Sequence, residues 1–380
     1  MDHSLSDEQV AIATMVRDLM TNEVGPRTQE IDEQGVFPTW VADLFRKHDL
    51  FAVTVPEDYG GIDGRLLTHC LVVEQVGRVC ASCSMILGAQ SLGAGPITLF
   101  GSADQKERWL TRLATGEVLV AFGLTEPNAG SDAKAMTTRA VPTDGGWRLN
   151  GRKSFITHAN VADVIIVFAK VKADGADQIT AFLVETDRAG FTVDKIEHKM
   201  GLRGSPTCSF VLEDVWIPQA NMLGELGQGL EIMLRGLHRG RIGSAAQSVG
   251  LGQGALDIAA AYATQREQFG RPLARMQAVQ TIVGQMATEI EAARQLVYSA
   301  ACRYDARAAD IERFSSMAKL FASDATMRVT GDAVQIMGGY GYMVEYGVER
   351  MMRDAKVFQI FEGANQIQQI TVARDVFAKA

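Results

Sequence analysis

The segment DVIIVFAKVKADGADQITAFLVE (Asp163–Glu185) decides the fold class of this chain. It holds two runs of β-branched and aromatic residues on either side of the turn signal Ala173-Asp174-Gly175, which is typical of two strands joined by a tight turn. Similar runs recur from about residue 118 to 220, separated by turns such as Asp144-Gly145-Gly146. This regular spacing of short strands predicts a small antiparallel barrel or sandwich.

The sequence on both sides of this region has helical character. Near the N-terminus, Ser6 to Gln9 has capping-box spacing, and apolar residues then recur at helical intervals. A further helix is predicted after Pro38, and PEDYGGIDG (Pro56–Gly64) is predicted to be a loop. Beyond residue 226 the pattern predicts helices over 229–265, 276–304 and 312–337, with one more towards the end. Helices, then strands, then helices is the predicted order.

Composition narrows the functional class. The chain has 380 residues, of which 47% are hydrophobic and 22% charged, with a net charge of −8. Because there is no basic stripe, nucleic acid is not an expected partner. The first residues lack the pattern of a secretory signal, and no run has the length needed to span a bilayer. We therefore expect a cytoplasmic protein without a membrane partner.

The cysteines and histidines do not form a metal-site pattern. Cys80 and Cys83 spell CxxC, but the pair falls inside a helical pattern, and no second ligand pair follows it. Buried thiols in a reducing compartment are the favoured interpretation. The six histidines are scattered, so no metal is expected.

Two further patterns suggest packing instead of chemistry. Gly250, Gly252 and Gly254 miss the GxGxxG fingerprint and follow no strand, so we interpret them as small residues for close helix contact. Ser316 to Lys319 matches SxxK, but it lies in the middle of a predicted helix and lacks the companion motifs of the enzymes that use it. A structural interpretation is favoured for both patterns.

The run RDAKVFQIFEGANQIQ (Arg353–Gln368) contains the strongest candidate for a catalytic group. Glu362 follows an apolar stretch and precedes Gly363. A carboxylate pressed against apolar neighbours has a raised pKa and is a usable base near neutral pH. Glycine after it lets a substrate approach the backbone closely. Glu362 is therefore a candidate general base.

The predicted order, together with this run, resembles the acyl-CoA dehydrogenase family over essentially the whole chain. The motifs that carry the resemblance occur in the expected sequence order, and it is their combination that makes it specific. They are PEDYGG (Pro56–Gly61), LTEPNAGSD (Leu124–Asp132), GRKSFIT (Gly151–Thr157), REQFGRPL (Arg266–Leu273), VQIMGGYGY (Val334–Tyr342) and RDAKVFQIFEG (Arg353–Gly363).

The resemblance implies an α+β multidomain flavoprotein. The expected parts are an N-terminal helical domain (1–116), a middle antiparallel β-barrel or sandwich domain (117–225) and a C-terminal four-helix bundle (226–380). It further implies FAD as cofactor, a homotetramer, and electron-transfer flavoprotein as electron acceptor. The reaction it implies is the α,β-desaturation of an acyl thioester, in which Glu362 removes the α proton and a hydride passes to FAD. The backbone N–H of Glu362 is one of the two implied donors to the thioester oxygen.

The site residues are carried over by position in these motifs. The resemblance assigns one group to FAD: Phe122, Leu124, Thr125, Ser131, Phe155, Thr157, Arg266, Gln268, Phe269, Gln335, Gly338 and Gly339. Of these, Arg266, Gln268 and Phe269 match a segment that reaches the cofactor across a subunit interface. A second group is assigned to the substrate: Ser131, His238, Arg241 and Gly363.

Some positions depart from the family pattern and keep alternatives open. His238 stands where CoA-using relatives commonly carry an aspartate that contacts the pantetheine arm. This departure allows an alternative substrate, an acyl or aminoacyl group tethered to a carrier protein. Gly240 stands where some members carry their catalytic glutamate, which leaves Glu362 as the base. The absence of arginine from Cys80 to Gln90 disfavours a dicarboxylic substrate. A non-catalytic flavin-binding protein is a further alternative, against which Glu362 argues.

Overall fold

The computed structural model describes residues 5–62 and 64–379, so Asp63 of the predicted loop lies outside the described residues. The N-terminal part is helical, as expected. Its helices are α1 (Asp7–Leu19), α2 (Thr28–Gln34), α3 (Thr39–Lys47), α4 (Leu66–Val79), α5 (Ala81–Phe100) and α6 (Ala103–Ala114). The predicted capping box is present: the Ser6 hydroxyl accepts from Gln9 N–H at 3.2 Å, and Gln9 Oε1 accepts from Ser6 N–H at 3.1 Å.

Helix α5 corrects the expectation that no run is long enough to span a bilayer. By length and composition alone its 20 residues pass that test, and 72% of the tested window is buried inside the protein. It packs against α4, α7 and β1. Core helices of large proteins share this composition because they are apolar on all sides.

The middle part folds into a mixed sheet of eight strands. They are β1 (Val120–Gly123), β2 (Arg139–Thr143), β3 (Gly146–Thr157), β4 (Val164–Ala173), β5 (Ala176–Glu185), β6 (Phe191–Ile196), β7 (Thr207–Pro218) and β8 (Met222–Leu223). The order is β6-β7-β3-β2-β4-β5-β8, and β1 also pairs with β4. Most pairs are antiparallel, as predicted, but β4 runs parallel to β1 and meets β2 in parallel at one residue pair.

The hairpin that decided the fold class forms as predicted. Strands β4 and β5 pair in antiparallel register from Val164 with Glu185 to Ala173 with Ala176. The buried run from Val164 to Ala169 contributes to two apolar clusters, one on each side of the sheet. Burial on both faces explains why this strand reads as a continuous apolar run instead of an alternating one.

The C-terminal part returns to helices, with bounds close to those predicted. It comprises α7 (Gly229–Gln265), the hairpin β9 (Glu267–Gln268) and β10 (Arg271–Pro272), α8 (Gln277–Asp305), α9 (Ile311–Met337), α10 (Val348–Phe358) and α11 (Asn365–Phe377). Two short helices therefore follow α9, where one was predicted.

The glycines of α7 set its close contact with α4. A Cβ added to Gly250 would lie 2.0 Å from the Glu74 carbonyl oxygen, and one added to Gly254 would lie 2.0 Å from the Arg78 carbonyl oxygen. The prediction of small residues for close helix packing is confirmed at these two positions. This contact fixes α7 against the N-terminal helices and so sets the position of its residues 236–247.

Candidate active site

Glu362 lies in the turn between α10 and α11, and its backbone is left-handed. The φ angle is 55° at Glu362 and 91° at Gly363. A non-glycine residue rarely adopts such an angle, so the surrounding contacts must hold the turn. Gln368 Nε2 donates to the Gly363 carbonyl at 2.9 Å, and Asn365 N–H donates to the Gln359 carbonyl at 3.0 Å.

The Glu362 carboxylate lies against α7 without a hydrogen bond to Oε2. This oxygen is buried and has no partner among the described residues. A Cβ on Gly240 would lie 2.4 Å from Oε2 and 3.1 Å from Leu92 Cδ1. A side chain at position 240 would therefore displace the carboxylate. The N–H of Glu362 likewise donates to no acceptor within residues 5–62 and 64–379.

Burial dominates the acidity of this carboxyl group. It raises the pKa of Glu362 to about 7, although the cations Arg241 and Lys319 act in the opposite direction. Arg241 is buried and donates from Nη1 to Ser316 Oγ at 3.3 Å, while its Nε has no partner among the described residues. Near neutral pH the carboxyl group thus exchanges readily between its two protonation states.

His238 lies on α7 two residues before Gly240. It is buried, and neither ring nitrogen has a partner among the described residues. Burial, together with the positive charges of Arg241 and Arg235, lowers the pKa of His238 to about 4. The ring is therefore neutral at pH 7, with one nitrogen able to donate and the other able to accept.

Unpartnered polar atoms concentrate around these residues. Most buried polar atoms in native proteins are hydrogen-bonded, and a cluster of exceptions is typical of a functional site. Among the described residues, seven such atoms belong to the segment 238–241 of α7 and to residues near it: His69 Nε2, both ring nitrogens of His238, Arg239 Nη2, Arg241 Nε, Glu362 Oε2 and Gln368 Oε1. A polar ligand bound beside Gly240 of α7 would supply partners for Glu362 Oε2.

A second buried carboxylate organises the end of β1. Glu126 accepts from Lys153 Nζ at 2.8 Å and from the N–H and hydroxyl groups of both Thr137 and Thr138. Burial alone would raise the pKa of Glu126, but Lys153 and these donors outweigh it and hold the value at about 2. Lys153 also donates to the Leu124 carbonyl at 3.1 Å. The pair therefore joins β1 to β3.

The residues predicted to hold the flavin ring lie at this junction. Ser154 N–H donates to the Thr125 carbonyl at 2.9 Å, which places Thr125 beside β3. Phe155 has a φ angle of 59°, and 64% of its surface is exposed. The ring of Phe122 packs on Phe168, and Phe122 also lies 3.2 Å from the Cβ position of Gly236 on α7. Thr157 ends β3, and Ser131 is exposed.

The other predicted FAD contacts lie elsewhere on the chain and are exposed. They are Arg266, Gln268, Phe269, Gln335, Gly338 and Gly339. At about 1.5 Å per helical residue, Gln265 at the end of α7 is roughly 38 Å from Gly240. By the same measure, Gln335 is about 24 Å along α9 from Lys319. These residues therefore lie far along α7 and α9 from the residues that contact Glu362.

Two kinds of residue at the site escaped sequence reasoning. Lys319 was interpreted as structural, yet it lies beside the Glu362 turn, and its Nζ donates to the Gly363 carbonyl at 2.8 Å. Gln368 was not singled out, although it lies in the quoted run. For Lys319 the available signal was a lysine between the apolar residues Ala318 and Leu320, whereas Gln368 lies among other amide residues and gives no such signal. The signal at Lys319 does not reveal which residue is the partner.

Comparisons with known proteins agree on one family. Family models described as the N-terminal, middle and C-terminal domains of acyl-CoA dehydrogenase match residues 6–117, 121–215 and 227–377. The chain is 43% identical to an acyl-CoA dehydrogenase of Bacillus subtilis (strain 168), over 97% of this chain and 98% of that protein. It is 40% identical to the caffeyl-CoA reductase-Etf complex subunit CarC of Acetobacterium woodii, over 97% and 98%.

Solved structures support the same match at the level of the fold. The structure of butyryl-CoA dehydrogenase from Megasphaera elsdenii superposes with a TM-score of 0.96 at 41% identity, covering 99% of this chain and 100% of that one. The agreement extends over all three parts of the chain.

Proposed function

The chain belongs to the acyl-CoA dehydrogenase family of FAD-dependent oxidoreductases that desaturate acyl-CoA, and we propose that Glu362 is its catalytic base. The proposal depends on the environment of Glu362. Glu362 combines a pKa near neutrality with a buried Oε2 and a backbone N–H that have no hydrogen-bond partner among the described residues. A base and an oxyanion donor are therefore available on the same residue.

These two groups match the two demands of the reaction. The α proton of a thioester is weakly acidic, so its removal needs a base and stabilisation of the negative charge that develops on the carbonyl oxygen. A preorganised donor at such an oxygen contributes about 3–4 kcal/mol. The left-handed turn fixes the Glu362 N–H in direction before substrate binds. Arg241, buried beside the carboxylate, adds positive charge to the same region.

The described residues fit FAD by the chemistry of their side chains. Exposed aromatic rings at Phe155 and Phe269 offer faces for stacking, the Thr125 and Thr157 hydroxyls offer hydrogen bonds, and Arg266 offers a charge for a pyrophosphate. We propose that Phe122, Leu124, Thr125, Ser131, Phe155 and Thr157 hold the flavin end of FAD. Its dinucleotide part is contacted by Arg266, Gln268 and Phe269, reaching across a subunit interface, and by Gln335, Gly338 and Gly339. When bound, FAD supplies a hydride acceptor that no side chain provides.

The preferred substrate is a short- or medium-chain acyl-CoA. The similar Megasphaera elsdenii structure is of a butyryl-CoA dehydrogenase, which supports this choice. We propose that Ser131, His238, Arg241 and Gly363 contact the substrate. A carrier-tethered acyl or aminoacyl group is a second candidate, because a neutral imidazole at 238 offers both a donor and an acceptor where CoA-using relatives commonly carry an acid.

Electron acceptor, assembly and location complete the proposal. An electron-transfer flavoprotein as acceptor is supported by the similarity to CarC, named as a subunit of an Etf complex. A homotetramer is supported by the exposed FAD contacts at the ends of α7 and α9. A cytoplasmic location is supported by the five free cysteines, four of them buried.

The test is an anaerobic titration of the purified yellow protein, following the flavin absorbance. The titrants are butyryl-CoA and octanoyl-CoA, and the same acyl groups on an acyl carrier protein. Bleaching by the free CoA thioesters supports the main proposal. Bleaching only by the carrier-bound groups selects the second candidate. No bleaching by either set, with FAD bound, overturns both.

A further inference from the structure

The SxxK pattern of α9 lies against the Glu362 turn. Lys319 is 1% exposed, and its Nζ donates to the Gly363 carbonyl and to Asn365 Oδ1, each at 2.8 Å. Ser316, one turn earlier on the same face of α9, accepts from Arg241 Nη1 at 3.3 Å. The two polar residues of the pattern therefore hold the two sides of the proposed site: the turn that carries Glu362, and the arginine beside it.

From these contacts we infer that Lys319 is a positioning residue for Glu362, which fixes the turn and supplies a positive charge to the carboxylate. The inference rests on the proposed function, because it takes Glu362 as the base. It assigns no nucleophile or proton transfer to Lys319 itself. The ammonium group acts through the Gly363 carbonyl and through its field.

The geometry explains why the turn needs this anchor. Glu362 and Gly363 both have positive φ angles, and the strain at Glu362 must be offset by local contacts. The Gly363 carbonyl accepts from two side chains, Lys319 Nζ at 2.8 Å and Gln368 Nε2 at 2.9 Å. Asn365 Oδ1 accepts from the same ammonium and from the Ser323 hydroxyl, so the anchor continues into the start of α11.

Lys319 forms no ion pair with any residue that the structure describes. Among the described residues, its hydrogen-bond acceptors are a carbonyl and an amide oxygen, whereas the other fully buried lysine, Lys153, pairs with Glu126. A buried ammonium without a paired carboxylate is costly, and an apolar side chain of similar volume would pack there at lower cost. The presence of the Lys319 ammonium here therefore indicates that it acts on the negative charge of Glu362 when that residue is ionised.

Three charged groups, Arg241, Glu312 and Asp324, lie around the proposed base and its anchor Lys319. The cations facing Glu362 are Arg241 from α7 and Lys319 from α9. Glu312 acts on Arg241, and Asp324 acts on Lys319. Burial lowers the pKa of Lys319 to about 8, while Glu362 acts to raise it. At pH 7 the ammonium is mostly protonated, so removing it removes a positive charge and raises the pKa of Glu362 further.

The test compares Lys319→Met with the wild type in anaerobic stopped-flow reduction of the flavin by butyryl-CoA, from pH 5 to 9. We expect the FAD content to be retained and the rate at saturating substrate to fall about tenfold to a hundredfold, as for a misplaced catalytic group. In the plot of rate against pH, we also expect the midpoint of the acidic limb to move to higher pH. KM should change less than the rate does. A merely structural role predicts lower thermal stability with an unchanged midpoint.

Three further variants keep the result interpretable. Lys356→Met, on α10, removes an exposed lysine whose one side-chain hydrogen bond among the described residues is to Gln359, so it should change neither rate nor midpoint. Lys319→Gln keeps an uncharged NH2 group that can donate hydrogen bonds. It should move the midpoint with a smaller loss of rate, and it replaces Lys319→Met if that variant does not fold. For each folded variant, the titration of Glu362 is also followed without turnover, by infrared spectroscopy. The band to follow is the one that belongs to a protonated carboxylic acid and is absent from the spectrum of Glu362→Gln.

The outcomes separate this inference from the proposed function. If Glu362→Gln keeps the wild-type rate, the proposed function fails. If Glu362→Gln is inactive while a folded Lys319 variant keeps the wild-type rate within twofold and the wild-type midpoint, only the inference about Lys319 is overturned.

Discussion

Two carboxylates of this protein, the buried Glu126 and the partly buried Glu362, each lie near a buried lysine, and the two environments give them different pKa values. Glu126 accepts five hydrogen bonds, including one from Lys153, and its pKa is held at about 2. Glu362 has an unpaired Oε2 and a pKa raised to about 7. Burial raises both values, so the difference comes from how fully each carboxylate is satisfied.

Lys153 and Lys319 are placed differently relative to their neighbouring glutamates. Lys153 places its ammonium on the Glu126 carboxylate itself, at 2.8 Å, and the pair stabilises the junction of β1 and β3. Lys319 places its ammonium on the carbonyl after Glu362, which leaves the carboxylate unpaired. A satisfied carboxylate has no tendency to take a proton near pH 7, whereas an unsatisfied one does. The first arrangement suits a scaffold and the second suits a base.

The largest change in stability is expected when the carboxylate of Glu126 is removed. Glu126→Ala leaves the buried Lys153 without its partner, which should cost about 3–5 kcal/mol in the free energy of unfolding. Urea denaturation of the variant and the wild type measures this. Glu362→Gln is the matched control at pH 5, where the folded wild type keeps Glu362 mostly protonated, and it should unfold there at nearly the wild-type urea concentration. Equal destabilisation by the two variants would contradict the claim that Glu126 stabilises the fold more than Glu362 does.

The space in front of the unsatisfied carboxylate is tested by Gly240→Ala. The added Cβ would lie 2.4 Å from Glu362 Oε2, so the carboxylate must move. A displaced catalytic group costs on the order of a hundredfold in rate, which stopped-flow flavin reduction measures. Gly243→Ala is the control on the same helix, because its Cβ meets His69 Nε2 at an ordinary 3.5 Å. Similar rates for the two variants would contradict the proposed position of the carboxylate.

The two carboxylates should also affect stability over different pH ranges. The depressed pKa of Glu126 contributes stability that is present above about 4.5, its ordinary value, and is lost as the pH falls towards about 2. The raised pKa of Glu362 contributes stability that is full below about 4.5 and is lost as the pH rises through about 7.

The effect of Glu362 is measured as the free energy of unfolding of the wild type and Glu362→Gln from pH 4 to 8. We expect the wild type to lose stability relative to Glu362→Gln over that range, because only the wild type must ionise a buried carboxyl group. A constant difference between the two proteins would mean that Glu362 ionises as an exposed glutamate does.

Sequence reasoning reached the fold and the identity of the base for physical reasons. Strand runs such as Val164–Ala169 are buried on both faces and therefore read as continuous apolar segments, and helix periodicity placed α7 at residues 229–265 as observed. Glu362 was visible because it follows an apolar run. Parallel pairing of β4 with β1 was not predicted, since pairing depends on contacts between segments that are distant in sequence.

The support of the base could not be predicted in the same way. Lys319 and Gln368 meet the Gly363 carbonyl only after α9, α10 and α11 have packed. Their partner is a backbone oxygen, which has no sequence signature. The gap at Gly240 is equally invisible in the sequence, because the atom that it accommodates comes from a residue 122 positions later.

The most direct test of the account is the rate of anaerobic flavin reduction in Glu362→Gln, measured with saturating butyryl-CoA at pH 8. The side chain is nearly isosteric, so we expect a folded yellow protein. Its rate should fall by on the order of 10²–10⁴, the usual contribution of a positioned base. A yellow Glu362→Gln protein that is reduced within fivefold of the wild-type rate would contradict the assignment of Glu362 as the base.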